Sequence, residues 1–310
     1  MTWRHIEDTC RAACLVVGVE FKTVPSDGRW HTANLLDDHK GRNDGRIKVF
    51  PDQQGGIVWN HKTGDRQTFF INSVGKGVSL SPEERRRIET EQAKRQAEQL
   101  DILEKAAQRA VSIWSEALPA PVDHPYLVRK QIKPYSLRVG KWKRVIKTDS
   151  GQRKTLIINN SLLLPLFNES GAIRSMQAIF PETHSDFGRD KDFIPGGGLA
   201  GLFWWIGAKT ETVLIAEGFA TGATLHDETG YRVYLAFTAN NLLAVGRIVR
   251  EKLPDASIIF CADNDKTAGN PGLTKATEAA AYVGGSVAVP PIWGDFNEYA
   301  IFLKAGNHVR

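Results

Sequence analysis

The 310-residue chain has little of what marks a secreted, membrane-bound or metal-stapled protein. Its three cysteines, Cys10, Cys14 and Cys261, are odd in number and form no disulfide framework, which points to a reducing cytoplasm. The first residues lack a signal-peptide pattern. No apolar run approaches the roughly 18–20 residues that span a bilayer, so no membrane partner is expected. There is no Gly-x4-Gly-Lys-Ser/Thr, which excludes a P-loop ATPase or helicase motor. Cys10 and Cys14 lie four residues apart on a predicted helix, and no second cysteine or histidine pair follows. No zinc is therefore expected, although His5, His31, His39 and His61 fall in the same part of the chain.

What is present is basic and unevenly spread. The net charge of +5 and pI near 9.0 permit a nucleic-acid partner. From Arg129 to Lys154 ten Lys/Arg face one acid, Asp149, so this window carries a larger excess than the whole chain. Such a window reads either as a solvated face or as a track for a phosphate backbone, which would relieve the mutual repulsion. Tyr135 and Trp142 are interleaved in it.

Four regions follow from the punctuation. Residues 1–78 read as a small α+β domain and a template-binding candidate. A helix is expected near Ile6–Val17, then a small antiparallel sheet among the turns Asp27-Gly28, Asn43-Asp-Gly45 and Thr63-Gly-Asp65. Its Trp30, Trp59, Phe69 and Phe70 read as core rather than base-stacking platforms. Arg29, Lys40, Arg42, Arg46 and Lys48 keep a surface for nucleic acid open. Residues 79–118 read as a charged connecting helix that begins at Ser81-Pro-Glu-Glu84. Its second half should dock one face through Leu100, Leu103, Ala107, Ala110, Val111 and Trp114. Residues 119–208 form a basic lobe with a hairpin, Leu162–Phe167 and Ile173–Phe180, turning at Asn168-Glu-Ser-Gly171. Residues 209–310 alternate strand and helix, which predicts a parallel sheet flanked by helices, an α/β fold.

Two strands of that last region end in acids. Val213–Ala216 leads into Glu217-Gly218, and Ile258–Ala262 leads into Asp263-Asn-Asp265. Open parallel sheets bind ligands at these strand ends. Carboxylates converging there would repel one another unless a cation lay between them, and hard oxygen ligands suit Mg²⁺ or Mn²⁺. Asp295 is either a further acidic ligand or a turn or cap residue.

Ala216-Glu-Gly-Phe-Ala-Thr-Gly-Ala-Thr-Leu225, taken with Asp263-Asn-Asp265, resembles the Toprim domain shared by bacterial primases, topoisomerases and some nucleases. His124–Ile132, Leu163–Gln177 and Lys191-Asp-Phe-Ile-Pro-Gly-Gly197 resemble segments of the RNA-polymerase core of DnaG-type primases. Asn240–Val245, Asn270-Pro-Gly272 and the His-Pro-Tyr-Leu variant are similar to primases of conjugative plasmids and phages. So is Asp27-Gly-Arg-Trp-His31. The likeness covers about residues 119–300 in order, without the usual zinc ribbon and without a helicase half.

The resemblance implies a DNA primase, a nucleotidyltransferase that makes short RNA primers on single-stranded DNA. Glu217, Asp263 and Asp265 would then be the catalytic metal ligands, with proton transfer as the alternative role of Glu217 and Asp295 a further candidate ligand. Lys191 would contact the phosphate of an incoming NTP, with Arg129 and Lys130 as further phosphate contacts. Lys141, Lys143, Arg144, Lys147, Arg153 and Lys154 would track the template backbone. A separate helicase or replication initiator would be the partner. A Toprim nuclease and a non-catalytic single-strand-binding accessory protein are the alternatives.

Overall fold

The structure, a computed structural model, describes residues 2–36, 43–71, 82–147, 151–265 and 270–307. The expected boundary at Gly75-Lys-Gly77, the Ser81 cap, and Lys40 and Arg42 lie outside these residues, as does the side chain of Lys147. The chain divides into two compact units, Met1–Glu91 and Gln92–Arg310.

In the first unit α1 (Thr2–Val16) packs on a four-stranded antiparallel sheet. Its strands β1 (His31–Ala33), β2 (Gly45–Val49), β3 (Gly55–Asn60) and β4 (Arg66–Phe70) pair in sequence order. Side chains alternate across a strand. Ile47, Val49, Val58 and Phe69 therefore point at Ile6, Cys10, Ala13 and Cys14 of the helix and form the core. Cys10 and Cys14 are buried helix-face residues, free of any disulfide. Of the four aromatic residues expected in the core only Phe69 is fully there; Trp30 and Phe70 stay exposed and Trp59 is half-buried. The period-two alternation sends Trp59 and Phe70 to the opposite face from Phe69.

The second unit contains most of α2 (Pro82–Glu116), which lies within the expected 79–118 helix. Its docking face matches part of the one read in the sequence: Ala107 and Ala110 are buried and Leu103 and Trp114 half-buried. Ala106, not named there, is buried too, whereas Leu100 and Val111 are 59% and 48% exposed. Small residues let the helix lie close against a sheet, and Trp142, Ile158, Leu163, Met176, Phe180 and Ile194 fill that contact.

That sheet is an antiparallel meander of five strands. After β5 (Leu118–Pro119) the short helix α3 (Pro125–Lys130) intervenes, then β6 (Arg138–Lys147), β7 (Arg153–Phe167), β8 (Ile173–His184) and β9 (Arg189–Phe193). The hairpin at Asn168–Gly171 is present, with longer strands than expected. In the middle of β7 both faces are buried. Leu163 meets α2, while Leu162, Leu164 and Leu166 face the second sheet's core.

The second sheet runs β10 (Trp204–Ile206), β12 (Arg232–Leu235), β11 (Thr212–Ala216), β13 (Ser257–Cys261), β14 (Ser286–Ala288) in spatial order. Chain order is β11 (Thr212–Ala216), α4 (Phe219–Thr229), β12 (Arg232–Leu235), α5 (Leu242–Lys252), β13 (Ser257–Cys261), α6 (Pro271–Val283), β14 (Ser286–Ala288) and α7 (Phe296–Asn307). All pairings except β10–β12 are parallel. Phe219, Ala220 and Ala223 of α4 pack on one face; Val245, Val249, Ala276 and Ala280 of α5 and α6 pack on the other. Gly222 permits the α4 contact, since a Cβ there would stand 2.3 Å from Leu235 Cδ2. Among the described residues no helix is long and apolar enough to cross a membrane.

Candidate active site

The parallel register sets Ala216 beside Cys261, so Glu217 and Asp263 leave adjacent central strands at the same edge of the sheet. Glu217 is followed at once by Gly218, the N-cap of α4, and its backbone carbonyl accepts from Phe237 N at 2.8 Å. Phe237 holds φ +67°, a left-handed conformation that a bulky residue adopts at a cost.

Asp263 is the most perturbed of the acids. Burial, then the charges of Glu217, Asp295 and Asp265, push its carboxyl up to about 7, against the opposing charge of Lys191. Its Oδ1 is buried without a hydrogen-bond partner among the described residues. Burial and Asp265 also raise Glu217, while the Ala239 amide, donating to its carboxylate, opposes the rise. Gly272, in the first turn of α6, completes the enclosure. A Cβ at that position would lie 3.1 Å from Glu217 Oε1, 3.5 Å from the Asp263 carbonyl and 3.7 Å from Asp265 Oδ2. Two carboxylates from different strand ends thus approach one point of glycine backbone.

Asparagines, which the sequence reading did not single out for a role, hold this geometry. Asn264, between the two aspartates, donates through Nδ2 to the Pro290 and Ile292 carbonyls at 3.2 and 3.1 Å. Its backbone pairs with Gly294 at 2.9 and 3.0 Å. Asn270 caps α6, donates to Asn264 Oδ1 at 3.1 Å and accepts from Asp265 N at 3.3 Å. The Asp-Asn-Asp turn is therefore pinned to two other loops. The Asn-Pro-Gly sequence, a cap followed by Pro at the first turn, is the signal that would have found Asn270.

Asp295 is the cap of α7. Its Oδ1 accepts from Glu298 N at 2.8 Å while Glu298 Oε2 accepts from Asp295 N at 3.4 Å, a reciprocal capping box. It is also one of the charges that raise Asp263. Both readings of this residue are therefore compatible with its position.

Lys191 lies on β9, paired with Ile179, and is the cation that acts on Asp263. Its neighbour Asp192 points to the other face and is 2% exposed. There it accepts from Trp142 Nε1 at 3.0 Å and from Arg189 at 2.8 Å, with Arg144 at 3.5 Å. Arg129 donates to the Pro181 carbonyl at 2.7 Å and reaches Asp190 at 3.4 Å. Lys130 stands 4.0 Å from Glu298. Both cations follow His124, a buried N-cap of α3. Its Nδ1 accepts from Tyr126 N at 3.2 Å and its Nε2 donates to the Asn160 carbonyl at 2.8 Å.

From Arg138 on, the basic window lies on the paired strands β6 and β7 and is split by strand alternation. Lys141, Lys143 and Arg153 are exposed. Arg144 turns inward to Asp192, and Lys154 pairs with Asp186 at 3.3 Å. None of them is among the charges that shift Glu217 or Asp263.

Among the described residues no three His, Cys, Asp or Glu side chains stand close enough to hold an ion as placed. The donor set nevertheless fits a hard cation: all oxygens, mutually repelling, with one buried carboxylate oxygen lacking a partner. No sulfur or imidazole belongs to it.

No family model matches the chain. Two Escherichia coli proteins, each called DNA primase TraC, are similar in sequence. One is 31% identical over 293 residues, 90% of this chain and 19% of its own length. The other is 28% identical over 278 residues, 85% of this chain and 24% of its own. The chain spans about a fifth to a quarter of these curated relatives. Among solved structures, a DnaG primase catalytic domain bound to ssDNA matches with TM-score 0.45 and 14% identity, over 68% of this chain and 81% of that one. The primase fragment of the bacteriophage T7 primase-helicase matches with TM-score 0.38 and 17% identity, over 88% and 95%. Over nine-tenths of its length, this chain is similar in sequence to a stretch of DNA primase TraC.

Proposed function

We propose that this chain is a DNA primase core, a nucleotidyltransferase that makes short RNA primers on single-stranded DNA through a Toprim-type centre. The observation that carries the reading is the buried, unpartnered carboxylate of Asp263 at a strand end, raised by the charges of Glu217, Asp295 and Asp265 and opposed by Lys191. The sequence likeness to DNA primase TraC supports it.

Glu217, Asp263 and Asp265 would hold Mg²⁺ or Mn²⁺, with the second carboxylate oxygen of Asp295 as a further donor. Such a cation, when bound, neutralises charge on the transferring phosphoryl group and the leaving pyrophosphate. Lys191, the cation that acts on Asp263, would pair with a triphosphate entering there. Asn264 and Asn270 fix the two aspartates and so limit the reorganisation that closing the site requires. Arg129 and Lys130 already have protein partners and would exchange them for phosphate. The exposed Lys141, Lys143 and Arg153 would follow the template backbone without reading sequence. On this reading 209–310 is the catalytic domain, 119–208 its basic lobe and 79–118 the helix leading to it. A separate helicase or replication initiator would be the partner, in the cytoplasm.

The test is incubation with single-stranded DNA and Mg²⁺, with and without NTPs. Short RNA that appears only with NTPs is expected. Scission of labelled DNA without NTPs would mark a nuclease, and binding without product under any metal would mark an accessory protein.

A further inference from the structure

We infer that the turn after β12, residues 236–241, is a positioning device for Glu217, and that Phe237 sets it by holding a left-handed backbone that its ring locks in place. The inference rests on the reading of Glu217 as a catalytic group.

The turn meets Glu217 at two levels. β11 and β12 are parallel, and their pairing continues past the strand ends. Ala236 N donates to the Ala216 carbonyl and Phe237 N to the Glu217 carbonyl, both at 2.8 Å. The backbone of Glu217 is thus fixed by the turn. Two residues further on, the Ala239 amide donates to the Glu217 carboxylate. Between these two contacts lies the φ of +67° at Phe237. An L-residue populates that well roughly 5- to 30-fold less than an ordinary helical one. A return of Phe237 to negative φ would redirect the Ala239 amide.

Two sets of contacts keep the turn in this state. Phe237 is 8% exposed, and its ring meets Phe193 nearly at right angles, with centroids 6.3 Å apart. Phe193 lies two residues after Lys191 on β9, and alternate residues share one face of a strand. The ring pair therefore ties the face of β9 that carries Lys191 to the turn that holds Glu217. Asn241 anchors the far end. Its buried side chain donates to the Ala236 and Leu202 carbonyls at 2.9 and 2.8 Å and accepts from Gly201 N at 2.8 Å. Glycine would take the same φ without strain, and would also leave the turn free to move. A strained residue held by its surroundings gives up that freedom, so the carboxylate meets its ligand with little left to reorganise.

A purely structural ring would be missed equally whatever small residue replaced it. A positioning role separates two variants that both lack the ring. Alanine keeps the preference for negative φ and loses the packing that opposes it, whereas glycine has no such preference.

The experiment uses the whole chain in EDTA and reads hydrogen exchange at the Ala239 amide; the affinity for Mn²⁺ alone is then measured without NTPs or DNA. In Phe237→Ala the amide should exchange roughly tenfold faster. Mn²⁺ should bind it roughly tenfold more weakly or worse, as when a group that orients a metal ligand is lost. Phe237→Gly should recover most of both losses, although it removes the same ring. Equal exchange in wild type and Phe237→Ala would overturn the inference, and so would equal acceleration in the alanine and glycine variants. If Phe237→Ala does not fold, Phe193→Leu takes its place: faster Ala239 exchange supports the inference and wild-type exchange overturns it. A wild-type chain that makes no primer, or binds no Mn²⁺, would refute the proposed activity, and the exchange measurement in EDTA would still decide the turn.

Discussion

Replacing Asp263 by Asn should stabilise the metal-free protein while removing its activity. Its carboxyl rises from an ordinary 3.8 to about 7, first through burial and then through Glu217, Asp295 and Asp265. A raised pKa means that the native state prefers the protonated acid. The stability from that proton is fully present below the unfolded value near 4 and is lost as pH rises through about 7. At 1.36 kcal/mol per tenfold in proton affinity, the ionised carboxylate costs at most ~4 kcal/mol. Partial solvent access screens this, leaving ~1–2 kcal/mol. The amide has the same shape and no charge. The variant should therefore gain ~1–2 kcal/mol over wild type at about pH 8 and nothing at about pH 4, in urea unfolding with EDTA. Mg²⁺ should then stabilise wild type more than the variant and close the gap. A variant less stable than wild type at high pH, or a difference independent of pH, would refute the reasoning.

Three further outcomes follow from the same contacts. Asn264→Ala removes the ties to Pro290, Ile292 and Asn270. Primer synthesis should fall roughly ten- to a hundredfold with the circular dichroism unchanged, the size of effect seen when groups that orient metal ligands are lost. Asp192→Asn leaves Arg144 and Arg189 facing a buried amide, and should cost about 2–3 kcal/mol in urea unfolding. His124 is held below its ordinary 6.5, first by burial. Its unfolded form takes up a proton before the folded form does, so stability present above about pH 6.5 is lost as pH falls. His124→Asn, which keeps a capping acceptor, should flatten that acid limb in pH-dependent thermal melts.

The parts of the molecule legible in the sequence were those with a local physical signature. Val213–Ala216 and Ile258–Cys261 are short apolar runs, and both became central parallel strands with their acids at one edge. What escaped was set by contacts far apart in the chain. The basic window is charge-rich, so its strand character was hidden; Trp142 and Asp192, fifty residues apart, reveal it only when β6 and β9 lie in one sheet. The docking face of α2 was read correctly at Ala107 and Ala110 but not at its edges, because Leu100 and Val111 look like better anchors than Ala106, and the sheet rewards close approach over bulk. The fold of the strand ends was legible, but the role of Asn264 was not, because its partners arrive from the loop after β14.

The most direct measurement is RNA product on single-stranded DNA, with NTPs and Mg²⁺, by the wild-type chain and by Asp263→Ala side by side. The account predicts short RNA from wild type and none from the variant, while oligo-dT binding in EDTA stays equal between them. Equal primer yield from both proteins would contradict it.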